Sequence, residues 1–386
     1  MDKYEEIRPY HDHEVREVVD RLLYDDGFLE SMAKFRLGKL ATKLGPVINP
    51  CLRWLLRREL KSVNDVTSLQ DVVEKYVDRV IHLTTTDVTF SGAEKLNKQQ
   101  QSYLFISNHR DIVLDPAFVN FALYHNNIKT PRLAIGDNLL TRPFVSDLMR
   151  LNKSFIVRRS VQGKREKLAA YQQLSSYIND SLAENESIWI AQREGRAKDG
   201  NDFSEAAIIK MLQLSQRGKD ISFSDFINNL NLVPVAISYE YDPCDWLKAR
   251  ELYQTERDGH YQKADNEDVQ SIVKGIRGFK GHVHIAFGEP LTGQLDTPQQ
   301  VVDAMDRQIL THYRLYPANY FAYEKLEEAQ QPLDWDKIRA EFPNIDLAAR
   351  RQRFEERLAS CTDAWRPWLL RMYANPVINK LKLQKS

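Results

Sequence analysis

The sequence predicts an α/β protein built on a mostly parallel sheet with flanking helices. From Thr84 onward, short apolar runs rich in β-branched and aromatic residues alternate with segments of helical periodicity, which is typical of such a sheet. Before and after this stretch, apolar residues recur at three- and four-residue steps. We therefore place a small helical N-terminal domain at 1–84, an α/β domain at 85–295, and a helical C-terminal region with a basic tail at 296–386.

The composition limits the possible functions. The chain has 386 residues, of which 42% are hydrophobic, so it can bury a full core. Lysine plus arginine and aspartate plus glutamate both total 54, so no net charge attracts nucleic acid. Three scattered cysteines, Cys51, Cys244 and Cys361, favour a reducing compartment. Without a secretion signal or a membrane span, we expect a cytoplasmic protein, peripheral on the cytoplasmic face of a membrane.

A basic, amphipathic segment at 32–62 stands out in the N-terminal domain. It mixes apolar residues and Trp54 with one acid, Glu59, and with the basic residues Lys34, Arg36, Lys39, Lys43, Arg53, Arg57, Arg58 and Lys61. This composition suits a surface on an anionic membrane, where each basic residue contributes on the order of 1 kcal/mol. It equally suits a helix pair that packs on the main domain and leaves a basic face in water. The tail at 365–386 has a similar composition.

The α/β domain is predicted from apolar, β-prone runs and the helical segments between them. Strands are expected at 88–91, 103–107, 132–135, 154–157, 187–191, 232–238 and 282–287. Helices are expected at 116–124, 144–151, 164–183 and 206–216. Because working groups of α/β proteins lie at strand ends, the residues that follow each strand are candidates for a shared crevice.

One strand-to-helix junction carries a histidine and two carboxylates. The strand at 103–107 leads into His109, with Asp111 and Asp115 further along the junction. A neutral histidine with a carboxylate on one ring nitrogen can take a proton from a hydroxyl with the other. His109 is therefore a candidate general base. A histidine beside an aspartate is also a common surface pair, so this motif needs support from others.

Two further strands lead into basic residues. A glycine that permits close backbone approach, flanked by cations, suits a phosphate monoester or another compact anion. Each basic cluster alone is also typical of a solvated loop. Together with the histidine they predict a crevice that holds an anionic alcohol next to a base. The residues are Arg158 and Arg159 after the strand at 154–157, and Glu194, Gly195, Arg196 and Lys198 after the strand at 187–191.

In this order, the motifs resemble the four blocks of the glycerophospholipid acyltransferase family, which includes the glycerol-3-phosphate and lysophosphatidate acyltransferases. The blocks are Asn108-His109 with Asp115-Pro116, Phe155 to Arg159, Glu194-Gly195-Arg196, and Val233-Pro234-Val235. The similarity extends over roughly 85–290, and its strength lies in order and spacing because each block is short. The segment at 188–196 and the helical N-terminal domain are also similar to the soluble plastid glycerol-3-phosphate acyltransferases.

The resemblance implies a glycerol-3-phosphate acyltransferase-like fold with a tunnel for an acyl chain. The reaction implied is transfer of an acyl group from an acyl-CoA or acyl-carrier-protein thioester to a hydroxyl of glycerol-3-phosphate or 1-acylglycerol-3-phosphate. No metal and no redox cofactor are implied. The expected partners are the thioester donor, free or on an acyl-carrier protein, a glycerol phosphate or lysophospholipid acceptor, and an anionic membrane surface.

The resemblance also implies residue roles. His109 would be the general base and Asp115 its orienting partner. The acceptor phosphate would be held by Arg158, Arg159 and Arg196, in a site shaped by Glu194 and Gly195 and supported by Pro234. Backbone N–H groups at the helix start near Asp115 could stabilise the oxyanion of the attacked thioester.

Two departures from the family pattern matter. Five residues separate His109 from Asp115, where the family has four. On a regular helix the pair would lie about 240° apart, so it can meet only if the backbone between is not helical. Asp111, at about 200°, fares no better, and we favour Asp115 because Pro116 follows it, as in the family. The glycine block is also shorter, so either Arg196 or Lys198 takes the phosphate-binding position.

Two other functions remain open. A membrane-associated binding or scaffold protein of the same fold could have lost catalysis through the inserted residue of the His/Asp block. A thioester hydrolase could use the same histidine, although no Gly-x-Ser-x-Gly elbow is present. The acceptor is not fixed by the sequence.

Overall fold

The computed structural model describes residues 3–38, 48–96, 101–264, 267–327, 329 and 331–385. Its helices are α1 (Asp12–Tyr24), α2 (Asp26–Leu37), α3 (Asn49–Glu59), α4 (Val66–Thr84), α5 (Leu114–His125), α6 (Pro143–Leu151), α7 (Lys164–Ala183), α8 (Ala206–Leu212), α9 (Phe223–Asn229), α10 (Asp245–Asp258), α11 (Glu267–Arg277), α12 (Pro298–His312), α13 (Pro317–Glu324), α14 (Trp335–Glu341), α15 (Leu347–Ala359) and α16 (Arg366–Leu383). Its strands are β1 (Thr85–Ser91), β2 (Leu104–Ser107), β3 (Arg132–Gly136), β4 (Ser154–Val157), β5 (Ile188–Ala191), β6 (Leu232–Tyr239) and β7 (Gly281–Phe287).

The chain forms two compact units. The first contains Met1–Arg79 and Pro131–Ser181, and the second contains Val80–Thr130 and Leu182–Ser386. Grouped by contacts in this way, the N-terminal helices share a unit with β3 and β4. The division of the sequence at 84 and 295 stays a prediction.

The second unit is organised on five strands in the order β1-β7-β6-β2-β5. The β1/β7, β6/β2 and β2/β5 pairs are parallel, and only β6/β7 is antiparallel among them. All residues of β2, β5 and β6 are buried, which explains their continuous apolar runs. The predicted α/β class with a mostly parallel sheet is therefore confirmed, and β2 lies in the middle of this set.

The first unit combines the N-terminal helices with the parallel pair β3/β4, in which Leu133 is paired with Ser154. Its core includes Val19 of α1, Leu29 of α2 and Leu56 of α3. The helical character predicted for the N-terminal segment is confirmed. Of the basic segment at 32–62, residues 39–47, which include Lys39 and Lys43, lie outside the described residues.

The predicted elements of the α/β region agree with the structure to within a few residues. All seven predicted strands are present, and the helix expected at 116–124 is α5, which begins two residues earlier. The segment expected at 206–216 is α8 followed by a 3₁₀ turn at Gln213–Gln216. The polar stretch at 242–278, which the sequence left unassigned, forms α10 and α11.

The C-terminal helices α13, α15 and α16 contribute to an aromatic core that also includes Tyr241 and, from α10, Ala249. Phe321, Phe354 and Tyr373 are buried in it, and the rings of Phe354 and Tyr373 meet edge to face with centroids 5.6 Å apart. The helical prediction for this region is confirmed. In the part of the chain that the structure describes, no helix is long and apolar enough to cross a membrane.

Candidate active site

The turn after β2 is attached to the neighbouring strand β6 by one side chain. Asn108 follows the last residue of β2, and its Oδ1 accepts the N–H of Ile237 at 2.7 Å while its Nδ2 donates to the carbonyl of the same residue at 2.9 Å. A side-chain amide carries a donor and an acceptor side by side, so it can pair with a strand as a peptide group does. The start of the turn is thereby fixed to the sheet.

The backbone between His109 and Asp115 is not helical, since α5 begins only at Leu114. This geometry lets the imidazole Nδ1 of His109 lie 2.8 Å from Oδ2 of Asp115. The predicted contact with Asp115 is therefore present despite the extra residue. Asp111, the alternative partner, instead accepts the N–H groups of Val113 (3.0 Å) and Leu114 (2.8 Å) and thus caps the start of α5.

Asp115 is fully buried, and four donors surround its carboxylate. Besides His109, Oδ2 accepts the N–H groups of Arg110 at 2.6 Å and Asp111 at 2.9 Å, and Oδ1 accepts the hydroxyl of Tyr239 at 2.6 Å. A buried carboxylate is tolerated only when it is paired in this way. Burial, together with the charge of Asp115, raises the pKa of Tyr239 well above its ordinary value, so the phenol keeps its proton and donates it.

The surroundings of His109 define which nitrogen is available for chemistry. Because the carboxylate of Asp115 can only accept, Nδ1 carries the proton and Nε2 has its lone pair free. No hydrogen bond to Nε2 is present among the described residues, and the side chain is 15% exposed. The ring meets Trp189 edge to face with centroids 6.1 Å apart, and the Trp189 indole N–H donates to Ser107 Oγ at 3.1 Å. The imidazole is thus held on one side and accessible on another.

Backbone N–H groups near the start of α5 were expected to stabilise an oxyanion. Four of them are already engaged, since Arg110 and Asp111 donate to Asp115, and Val113 and Leu114 donate to Asp111. These four N–H groups are not available to an oxyanion, so the expected role is wrong for them. The carboxylates of Asp115 and Asp111 take up these donors.

Several residues that the sequence did not single out hold the turn. Arg110 donates from Nε (3.0 Å) and Nη2 (2.6 Å) to Oδ2 of Asp202 and lies over the ring of Tyr313. Its carbonyl accepts a hydrogen bond from Nζ of Lys248 at 2.8 Å. Arg110 and Lys248 are both buried. No sequence signal pointed to these partners, because they are remote in the chain and belong to common charged types.

The loop after β5 lies against the same turn. The N–H of Gln192 donates to the carbonyl of Ser107 at 2.8 Å, and the N–H of Ala197 donates to the carbonyl of His109 at 2.7 Å. Between them, Gly195 has a left-handed φ of 75°, which a residue with a Cβ adopts only with strain. The structure therefore brings the glycine block into contact with the His109 turn.

The charged residues of this loop face different partners. Arg196 is partly buried and donates from Nη2 to Ser271 Oγ at 3.3 Å, and Lys198 forms an ion pair with Glu251. Glu194 is exposed. Because Lys198 already has a carboxylate partner, Arg196 is the better placed of the two cations to receive an anion.

The other basic pair, Arg158 and Arg159, lies in the first unit, directly after β4, and is exposed. Arg158 Nη1 is 3.1 Å from Oε2 of Glu6. Oδ1 of Asp137 accepts the Arg159 N–H at 3.1 Å, and the hydroxyl of Ser160 also donates to Asp137. Although partial burial acts in the opposite direction, the hydrogen bonds from Ser160 and Arg159 lower the pKa of Asp137 below its usual value. This carboxylate therefore shapes the basic turn.

Pro234 is a buried residue of β6, and it pairs with Ile106 of β2. Its carbonyl accepts the N–H of Gly288 at 2.8 Å. Proline is unusual in an interior strand because it cannot donate to the ladder. Its supporting role stays a prediction.

In the described ranges, no group of three or more His, Cys, Asp or Glu side chains is arranged to hold a metal ion.

Comparison with known proteins is informative for this region. A family model described as Acyltransferase matches residues 87–237, a range that includes the His109 turn, both basic clusters and Pro234. This match agrees with the predicted resemblance to the glycerophospholipid acyltransferases. The chain is 25% identical over 211 residues to the glycerol-3-phosphate acyltransferase of Aeromonas hydrophila, a match that covers 53% of this chain and 24% of that protein.

One further relative and one solved structure are also similar to the chain. The dihydroxyacetone phosphate acyltransferase of Bos taurus is 23% identical over 210 residues, covering 53% of this chain and 29% of that protein. A solved structure, the 1-acyl-sn-glycerophosphate (LPA) acyltransferase PlsC from Thermotoga maritima, is 14% identical, with a TM-score of 0.35, covering 76% of this chain and 92% of that chain. The matched part of the chain spans about a quarter of the length of its first curated relatives.

Proposed function

We propose that this protein transfers a fatty acyl group from a thioester to a hydroxyl of a phosphate-bearing glycerol acceptor. The hydrogen bond between His109 and Asp115 carries this proposal, because it leaves Nε2 as a base at an accessible position. Two relatives support the acceptor class, since they are named for glycerol-3-phosphate and dihydroxyacetone phosphate, which both carry a phosphate and a hydroxyl.

In this reaction, Nε2 of His109 removes the proton of the acceptor hydroxyl as its oxygen attacks the thioester carbonyl carbon. The new C–O bond gives a tetrahedral oxyanion, which collapses by breaking the C–S bond. The imidazolium returns the proton to the leaving sulfur, so the thiol of coenzyme A or of an acyl-carrier protein is released. Asp115 stabilises the imidazolium and fixes the tautomer that has Nε2 unprotonated.

We assign binding of the acceptor phosphate to Arg196, with Glu194 and Gly195 shaping its loop, and the phosphate-binding role of Arg158 and Arg159 stays a prediction. Guanidinium groups suit this task because their planar donors can bind two phosphate oxygens at once. Lys198 is the less suitable candidate because Glu251 already neutralises it.

The scaffold alternative was motivated by the extra residue between His109 and Asp115. The 2.8 Å contact removes that motivation, since the insertion does not separate the pair. The hydrolase alternative differs from transfer in one observable, which is the release of free fatty acid without an acceptor.

The test is an assay of the purified chain with acyl-CoA and acyl-carrier-protein thioesters against glycerol-3-phosphate, dihydroxyacetone phosphate and 1-acylglycerol-3-phosphate. Thiol release and acylated product are measured together. We expect product to form only when one of these acceptors is present and to be lost in His109→Ala. Equal thiol release with and without acceptor would instead identify a hydrolase, and no turnover with any pair would contradict the proposed function.

We also propose that α3 contacts an anionic membrane. Its outward face carries Trp54, which is 59% exposed, and Leu55, which is 42% exposed, and Arg58 lies over the Trp54 ring. Exposed Trp and Leu beside arginines suit the lipid interface. In the C-terminal tail, by contrast, Leu369 and Val377 are buried in the helical core, so we exclude their apolar side chains from this role.

Vesicle sedimentation tests this surface. We expect the chain to bind vesicles of phosphatidylglycerol and phosphatidylcholine more strongly than pure phosphatidylcholine vesicles, with weaker binding at high salt. Leu55→Ser should reduce binding, whereas Leu168→Ser, a leucine of the same 42% exposure on α7, should not. Equal partition to both kinds of vesicle would refute an electrostatic membrane contact.

A further inference from the structure

Lys248 on α10 is the least expected charged residue near the turn. It is 2% exposed, and its ammonium group has two partners, the carboxylate of Asp242 and the carbonyl oxygen of Arg110 at 2.8 Å. A buried ammonium is costly unless it is paired. Asp242 is itself 4% exposed, so the two charges compensate each other in the interior.

The carbonyl that Lys248 binds belongs to the peptide group between Arg110 and Asp111. On the other side of this group, the N–H of Asp111 donates to Oδ2 of Asp115 at 2.9 Å. A trans peptide is planar and its C=O and N–H point in opposite directions. By holding the carbonyl, Lys248 therefore directs the N–H at Asp115. A cation on the oxygen also polarises the peptide and strengthens the N–H as a donor.

Asp115 Oδ2 is the same atom that receives the Nδ1 proton of His109. Lys248 is thus linked to the imidazole by a series of hydrogen bonds that passes through the Arg110–Asp111 peptide group and Oδ2 of Asp115. Asp242 stays ionised to complete the arrangement, because the Lys248 ammonium, acting against the effect of burial, lowers the pKa of this carboxylate.

From this geometry we propose that Lys248, held by Asp242, is a positioning residue that sets the Arg110–Asp111 peptide and thereby keeps His109 in the tautomer that has Nε2 unprotonated. It contacts no reacting group. It explains how a turn with an extra residue still aligns its histidine and aspartate. The inference deepens the proposed function and depends on it only for its effect on rate.

The main variant is the double substitution Lys248→Met/Asp242→Asn. Methionine retains the length of the side chain and removes the donor, and asparagine leaves an oxygen for the N–H of Cys244, which Asp242 Oδ1 accepts at 2.8 Å. Neither charge of the pair then remains unpaired in the interior. Lys248→Gln, which retains an uncharged amide N–H₂ donor, is the second variant.

A matched control is available in Lys280→Met. Lys280 is also fully buried and donates to backbone and hydroxyl oxygens, namely the carbonyl of Gly278 at 2.7 Å and Oγ1 of Thr84 at 2.9 Å. It makes no hydrogen bond to the His109 turn. A general effect of removing a buried lysine should appear in this control as well.

The readout is the nitrogen NMR spectrum of protein labelled with ¹⁵N-histidine, with the His109 signals assigned by loss in His109→Ala. We expect the proton on Nδ1 in wild type and in Lys280→Met, and a mixture of tautomers in the double variant and in Lys248→Gln. An unchanged His109 tautomer in both Lys248 variants would overturn the inference. This measurement needs no turnover, so it separates failure of the inference from failure of the proposed function.

The second readout is kinetic. Relative to active wild-type protein, we expect the double variant to have a kcat that is about 10- to 100-fold lower. A loss of this size is typical when a catalytic group is slightly misplaced. The KM values for thioester and acceptor should stay close to wild type. A fall in kcat of the same size in Lys280→Met would assign the effect to general stability and would also overturn the inference.

Discussion

The turn after β2 and the turn after β4 are built in opposite ways. In the first, Asp115 is fully buried and all its hydrogen bonds are internal to the second unit. In the second, Arg158 and Arg159 are exposed, the Arg158 side chain pairs with Glu6, and the Arg159 N–H donates to Asp137. Both turns follow a strand and both contain charged residues, but only the first is rigidly prepared before any ligand arrives.

This difference between the turns matches the different requirements of a general base and of a phosphate-binding site. A base must have the correct tautomer and orientation before the reaction, so its partners are best fixed in a dry, hydrogen-bonded setting. Cations that bind a phosphate gain most of their interaction energy when the ligand is present, and they can remain in solvent until then. Substitutions in the first turn should therefore affect kcat and stability, and those in the second should affect mainly acceptor affinity.

The largest expected effect comes from Asp115→Asn, which preserves size but removes the acceptor-only carboxylate. The amide can present its N–H₂ to Nδ1 and so favours the wrong tautomer, and we expect kcat to fall about 10³- to 10⁴-fold. Steady-state acyl transfer measures this. Asp111→Asn is the matched control, because its Oδ1 still caps α5, and its kcat should stay within a few-fold of wild type. Equal losses in both variants would contradict the distinction between the two aspartates.

A smaller effect is expected from Arg158→Ala and Arg159→Ala. Each should raise the KM for the phosphate-bearing acceptor about tenfold or more, since a hydrogen bond to a charged group is worth about 1.5–3 kcal/mol. The KM for the thioester and the thermal stability should not change. Arg165→Ala, an exposed arginine on α7, is the control. An unchanged acceptor KM in both arginine variants would remove this turn from the site.

Tyr239→Phe tests the buried turn more gently. It removes one of four donors to Asp115 and leaves Oδ1 without a partner, so we expect a loss of about 2 kcal/mol in the free energy of unfolding. The kcat should fall about tenfold, equivalent to about 1.4 kcal/mol. Tyr313→Phe is the stability control, because no hydrogen-bond partner of its buried hydroxyl is found in the described ranges. Urea unfolding should show a difference between these two variants, and equal stabilities would argue against the Tyr239 bond.

The smallest expected effect concerns the pH dependence of stability. Burial, and then the charge of Asp115, raises the pKa of Asp111 in the folded protein above its ordinary value. The contribution of Asp111 to the free energy of unfolding is therefore fully present below its unfolded pKa. It is lost as the pH rises through the folded pKa. Asp111→Asn should gain stability relative to wild type as the pH rises. Urea unfolding of both proteins from about pH 4, near the unfolded pKa of aspartate, upward to pH 8 measures this, and a constant difference would contradict it.

The strands and most helices could be predicted from the sequence because burial imposes local patterns. β2, β5 and β6 are buried on both faces, so their residues form continuous apolar runs that are visible without any tertiary information. The stretch at 242–278 was not assignable, since α10 and α11 are short, polar helices whose stability depends on packing.

The candidate site was predictable only in part. His109, Asp115 and the glycine block are short motifs at strand ends, and their order along the chain revealed them. Asp202, Tyr239 and Lys248 gave no signal, because each contacts the turn from a distant part of the sequence. An aspartate, a tyrosine or a lysine in such a position looks like any other until the fold brings it to its partner.

By itself, the sequence determined the alternation of strands and helices, the family motifs and the choice of His109 as the candidate base, since each depends on residues that are close in the chain. Only the tertiary structure decided that Asp115 and not Asp111 reaches the imidazole across an extra residue. The physical reason is that a non-helical turn is not stable on its own. Three sets of hydrogen bonds fix it: Asn108 binds the backbone of β6, Arg110 donates to Asp202, and Lys248 donates to the Arg110 carbonyl.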